Sequence, residues 1–205
     1  MAASSLSFVD RERTALAALM TELGPDAPTC CAGWTTAHLA AHVVVRDTRP
    51  DAMAGYAAEG AGLGGPLVAW AHRLEDRLRS STPYADVVAR VRSGPPGWYP
   101  TAWRPVEQAI NVTEFAVHHE DVRRAQPDWT VRALSAEDQD AIWTASALYA
   151  RRGAGRRGIV LRRSDKPDQE RRLGAEGRTV EGEPLELLLW CAGRRDVARV
   201  TVSED

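Results

Sequence analysis

The chain has 205 residues, 44% of them hydrophobic, and 26 Lys+Arg against 28 Asp+Glu leave a formal charge of −2. That is room for one ordinary domain, or one domain with a small appendage, and apolar content enough for a core, so disorder is not the default. The charge gives no global electrostatic case for a nucleic-acid or membrane partner, and three cysteines (Cys30, Cys31, Cys191), two of them adjacent, are not a secreted disulfide framework.

Lys166 is the sole lysine among many arginines, which reads as the codon bias of a high-GC genome. The opening MAASSLSFVDRERTAL lacks a basic segment followed by an apolar run, and no apolar stretch is long enough to span a bilayer. The expected compartment is the reducing cytoplasm.

Ser7 suits the cap of a first helix reaching Leu23, with Leu16, Leu19, Met20 and Leu23 as its inward stripe and Gly24, Pro25 and Pro28 ending it. Thr35 or Thr36 caps a second helix through Asp47. There His42 sits between Leu39, Val43 and Val45 and points inward, with His38 one turn earlier on nearly the same line. From Pro50 to Pro66 the chain is rich in Gly and Ala and reads as a mobile connection, with a short helical turn near Tyr56. A third helix is predicted from Leu67 to Val91, with a break or restart at Thr82-Pro83. Ser93 to Arg104 reads as a rigid loop whose Trp98, Tyr99 and Trp103 pack on the bundle end or wall a pocket mouth.

Pro105 to Ala125 has the length and apolar period of a helix, with Pro105 in its first turn. At about 100° per residue, Glu107, Asn111, Glu114, His118 and Asp121 fall in a wedge of roughly 80°. Ile110, Phe115, Val117 and Val122 flank the wedge, while Gln108, Thr113, Ala116, His119, Glu120 and Arg123 lie on the far side. A polar line down a core-facing surface is costly unless its groups are paired or bind a metal. The plainer alternative is a solvated face.

After the linker AQPDWTVRAL, Ser135 starts a helix with acids in its first turn and arginines in its last. GIVLRR and QERRL read as neighbouring strands, GEPLELLLWCAGRR as a helix and VARVTV as a closing strand. The fold expected from these elements is mainly α. It comprises a four-helix bundle over residues 1–130 and a small C-terminal α+β domain over residues 131–205.

Glu114 and His118, spaced i and i+4, lie on one helix face and reach a single ion together. A further inward histidine from the second helix, His38 or His42, completes three N/O donors, the number that leaves a catalytic metal an open position. Asp121, one turn past His118, is placed to orient its imidazole. Asn111 is suited either to a water or substrate or to a core hydrogen bond. Cys31 precedes a helix and is either an acidified thiol or an inert buried one. Arg46 and Arg49 follow His42 and are either the cations nearest an anionic ligand or a solvated helix end. The Arg-rich stretch from Arg151 to Arg178 has no nucleic-acid-binding motif, and no phosphate loop or Gly-x-Ser-x-Gly elbow is present.

Two segments carry a resemblance. Cys31-Ala-Gly-Trp34-Thr-Thr-Ala-His-Leu-Ala-Ala-His42-Val and Glu114-Phe-Ala-Val-His118-His-Glu-Asp121-Val resemble the mycothiol-dependent maleylpyruvate isomerase family, within the DinB-like metal-binding four-helix bundles. Val180-Glu-Gly-Glu-Pro-Leu-Glu-Leu-Leu-Leu-Trp190-Cys-Ala-Gly-Arg194 is similar to the small C-terminal domain of that group. The resemblance implies a zinc-type divalent ion (Zn2+) held by His42, Glu114 and His118, and so favours His42 over His38. It further implies mycothiol as the cofactor, its thiol activated to attack a small electrophilic substrate in an isomerisation or S-transfer. The other expectation kept open is a non-catalytic metal-binding stress-response module on the same bundle.

Overall fold

In the computed structural model, which describes residues 6–97, 110–154, 158–174 and 177–203, the chain is mainly helical with a small four-stranded sheet. Trp98, Tyr99, Trp103, Pro105, Glu107 and Gln108 lie outside the described residues. The chain divides into two units, one of residues 1–107 with 118–129, the other of residues 108–117 with 130–205.

In the first unit, α1 (Phe8–Leu23) starts where the Ser7 hydroxyl accepts the Asp10 N–H at 3.1 Å, and ends at Gly24, whose φ of 80° favours glycine. Phe8, Val9, Leu16, Ala17 and Met20 are its buried face. Helix α2 (Thr36–Thr48) buries Leu39, Ala40, Ala41, Val43, Val44 and Val45. It packs on α4 (Pro66–Ser81) and α5 (Tyr84–Ser93), and α5 also packs on α1. The helix predicted over 67–91 with a break or restart at Thr82-Pro83 is two helices parted there, because a proline N cannot continue the ladder.

The Gly/Ala-rich stretch, expected to be a mobile connection with a short helical turn near Tyr56, is a 3-10 turn (Pro50–Ala52) running into a full helix there, α3 (Met53–Gly60). Here alanine content and packing override glycine content. Ala52, Ala71, Leu74 and Val45 form a small core with Tyr56 and Trp70 against it, and a Cβ on Gly55 would collide with the Leu67 carbonyl of α4.

Helix α6 (Val112–Arg123) follows a π turn at 110–111 and is buried almost all round, not on one face. Thr113, Ala116, His119 and Glu120 were expected on the solvent side, yet all four are buried, while Ile110, expected to flank the core, is 41% exposed. The polar groups on that side are paired instead of hydrated. His119 Nδ1 lies 2.9 Å from Glu12 of α1, Arg124 Nε donates to Glu120 at 2.5 Å, and Arg123 donates to the same carboxylate at 2.9 Å. Pairing removes the penalty that made burial of this face look unfavourable.

In the second unit the helix predicted from Ser135 breaks at Ser146 into α7 (Ala136–Ala145) and α8 (Ala147–Ala154). The sheet runs β2-β1-β3-β4. Strand β1 (Ile159–Arg163) pairs antiparallel with β2 (Glu170–Leu173) and parallel with β3 (Arg178–Gly182), and β3 pairs antiparallel with β4 (Thr201–Ser203). Strand β3, RTVEG, carries one large apolar residue and has no sequence signature; backbone bonds to strands on both sides make it. The closing strand is shorter and later than VARVTV suggests. Helix α9 (Pro184–Cys191) is buried at every position, as its unbroken apolar run requires.

Candidate metal centre

The loop before α2 is pinned at several points. Pro28 and Thr35 form an isolated β-bridge, Thr29 Oγ1 accepts the Cys31 N–H at 3.2 Å, and the Trp34 N–H donates to the Cys31 carbonyl at 2.9 Å. The Cys30 N–H donates 2.8 Å to the carbonyl of Asp121 on α6, tying loop and helix together within the first unit. His38 closes the helix cap: its Nδ1 lies 3.2 Å from the Thr35 nitrogen and 3.0 Å from the Thr35 hydroxyl. Its ring therefore serves the helix end, one turn from where His42 projects.

His42 and His118 meet with ring centroids 5.3 Å apart and nearly perpendicular planes. Each ring has a carboxylate behind it. His42 Nδ1 lies 2.8 Å from Glu75 Oε1 of α4, and Glu75 also accepts the Tyr56 hydroxyl at 2.7 Å. His118 Nδ1 lies 2.8 Å from Oδ2 of Asp121, whose side chain is fully buried. Both imidazole side chains are only 12% exposed. Trp34 and Tyr56 flank His42, with centroids at 5.2 and 4.8 Å.

Glu114 rides one turn before His118 on the same continuous helix, which by itself fixes its place relative to that histidine. One donor atom each of Cys31, His118 and Asp121 lie within 4.8 Å of one another. Two imidazoles and a carboxylate, the donor types that His42, His118 and Glu114 offer, fit a borderline divalent cation such as zinc. The carboxylates behind both imidazoles are what metal-binding histidines ordinarily have, because they fix the tautomer and make the ligand more basic.

Asp121 stands where helical spacing put it. Glu75, Tyr56 and Trp34 are the residues that sequence reasoning missed. For Glu75 a signal existed, since it falls four residues after Ala71 and three before Leu78 on the inward stripe of α4. For Tyr56 there was only the short helical turn expected around it, which says nothing of the face it presents. Arg46 is buried against Asp47 at 3.4 Å, and Arg49 holds Asp51 through two bonds of 2.8 and 2.7 Å. Asn111 is buried. None of the three cysteines is in a disulfide; Cys191 lies on α9, where burial pushes its thiol up to about 12.

No family model matches the chain, and no curated protein does. Among solved structures it is similar to the mycothiol-dependent maleylpyruvate isomerase, at 18% identity and a TM-score of 0.48, over 96% of this chain and 90% of that one. A mutant of the mycothiol-dependent maleylpyruvate isomerase is similar at 17% identity, with the same TM-score of 0.48 and the same coverage of 96% and 90%.

Proposed function

We propose that His42, Glu114 and His118 hold a divalent cation of zinc type, and that the protein uses it to activate a small-molecule thiol against a small electrophile. The observation that supports this most is the meeting of the His42 and His118 rings at 5.3 Å, each with a carboxylate behind it, with Glu114 one turn before His118 on the same helix. In each ring Nδ1 faces a carboxylate, so Nε2 is the nitrogen a cation takes. Glu75 and Asp121 then hold the Nδ1 protons and keep the rings in register, and the Tyr56 hydroxyl steadies Glu75. Trp34 and Tyr56 give His42 an apolar surround that limits water. A cation bound there supplies positive charge that lowers the pKa of an incoming thiol.

The resemblance of the two histidine segments makes mycothiol the thiol to try first, with isomerisation or S-transfer as the reaction and the cytoplasm as the setting. Among the described residues no helix is long and apolar enough to cross a membrane. Metal content by elemental analysis of wild type beside Glu114→Ala tests the cation: about one ion per chain that falls away in the variant is expected, and equal content in both overturns the ligand set. Thiol-dependent turnover of maleylpyruvate or another electrophile, abolished in His118→Ala, tests the chemistry. A metal-loaded wild type that turns over none of them leaves a non-catalytic metal protein.

A further inference from the structure

The second donor group, Cys31, His118 and Asp121, lies wholly in the first unit; the proposed centre takes His118 from it as a ligand and Asp121 as the support of that ring, and leaves Cys31 unused. We infer that it is a distinct binding site for a thiophilic cation, sharing His118 with the first. Three features of the structure lead there.

A single carboxylate oxygen, Asp121 Oδ2, is met by both Cys31 Sγ at 3.1 Å and His118 Nδ1 at 2.8 Å. That carboxylate has no exposed side-chain surface, so no bulk water shares its charge. The thiol is held against it by a pinned loop: the Cys30 N–H is anchored on the Asp121 carbonyl, and the Cys31 N–H on Thr29. Sulfur, imidazole nitrogen and carboxylate oxygen thus stand preorganised around one point, and a thiolate in the set selects soft or borderline cations over magnesium or calcium. Binding forms Sγ–cation and Nδ1–cation bonds, releases the thiol proton to solvent and leaves the ring proton of His118 on Nε2 in place of Nδ1. Because His118 belongs to both groups, a cation seated here takes that ring from the first centre.

Cadmium titration of the full-length protein, followed by the thiolate-to-metal charge-transfer absorption in the near ultraviolet, tests this. A band is expected in wild type and, at similar intensity, in Glu114→Gln and His42→Asn, which disable only the first centre. It is expected to vanish in Cys31→Ser. Asp121→Asn, which removes an anionic donor, should weaken cadmium binding by more than the about 10- to 100-fold that loss of an outer-shell partner costs. The inference is overturned if wild type gives no band, if the band survives Cys31→Ser, or if it disappears in Glu114→Gln. The first-centre reading fails on different grounds, namely unchanged metal content in Glu114→Ala.

Discussion

The helices around α6 and the sheet after residue 158 both place carboxylates against basic side chains, but the partners differ. In the first region Glu75, Asp121 and Glu12 face the imidazoles of His42, His118 and His119. In the second Asp165, Asp140 and Glu170 face Arg163, Lys166 and Arg172. A guanidinium keeps its proton and offers no lone pair, so its ion pairs are closed structures. An imidazole backed by a carboxylate still presents its second nitrogen. The same pairing rule therefore builds a scaffold in one place and a ligand set in the other. Aromatic rings hold part of the Arg-rich stretch as well: Arg163 and Arg171 lie over Trp143, and Arg178 over Trp190.

The largest effect is expected from a closed pair that sits among the open ones. Glu120 and Arg124 have no exposed side-chain surface, and Arg124 stacks over Trp129 at 4.7 Å. Glu120→Ala strips a buried guanidinium of this carboxylate, and a loss of about 3–5 kcal/mol in denaturant unfolding is expected. A loss no larger than that of a surface mutation would erase the distinction.

Next comes Glu75→Gln, which preserves shape but removes the charge behind His42. Metal affinity is expected to fall about 10- to 100-fold, with helix content by circular dichroism unchanged. Tyr56→Phe, one bond further out, should fall short of it.

The arginine pairs predict a pH signature instead. Hydrogen bonding from Arg163 holds the Asp165 carboxyl below its ordinary value, and Lys166, then Arg163, do so for Asp140. A depressed carboxyl contributes stability that is present above the unfolded value of about 3.9 and is lost as pH falls through the folded one. Arg163→Met should therefore lower the melting temperature near neutrality, and its gap from wild type should narrow as the medium is acidified below that range. A gap independent of pH would assign the loss to packing. The smallest effect belongs to Lys166→Ala. Its ammonium and Asp140 are 37% and 46% exposed, so solvent screens the pair and the melting temperature is expected to shift less than in any of the other variants.

Much of this was written in the chain. Apolar spacing is a local property, so α1, α2, the Pro83 break, β1 and the buried run of α9 are all legible without coordinates. The Glu114–His118 pair and the place of Asp121 follow from helical periodicity alone, because residues three and four apart share a face whatever surrounds them. Which faces are buried is a property of neighbours, and it took the tertiary structure to bring Glu12 to His119 and Arg124 onto Glu120 on the side of α6 that looked solvated. The choice between His38 and His42 was likewise unavailable to periodicity, which puts both on one line. Only the folded chain sends His38 to its own helix cap and sets His42 against Glu75, since side chains 33 residues apart in sequence meet only when α2 and α4 pack. Local chemistry determined which donors exist, and long-range packing decided which of them gather.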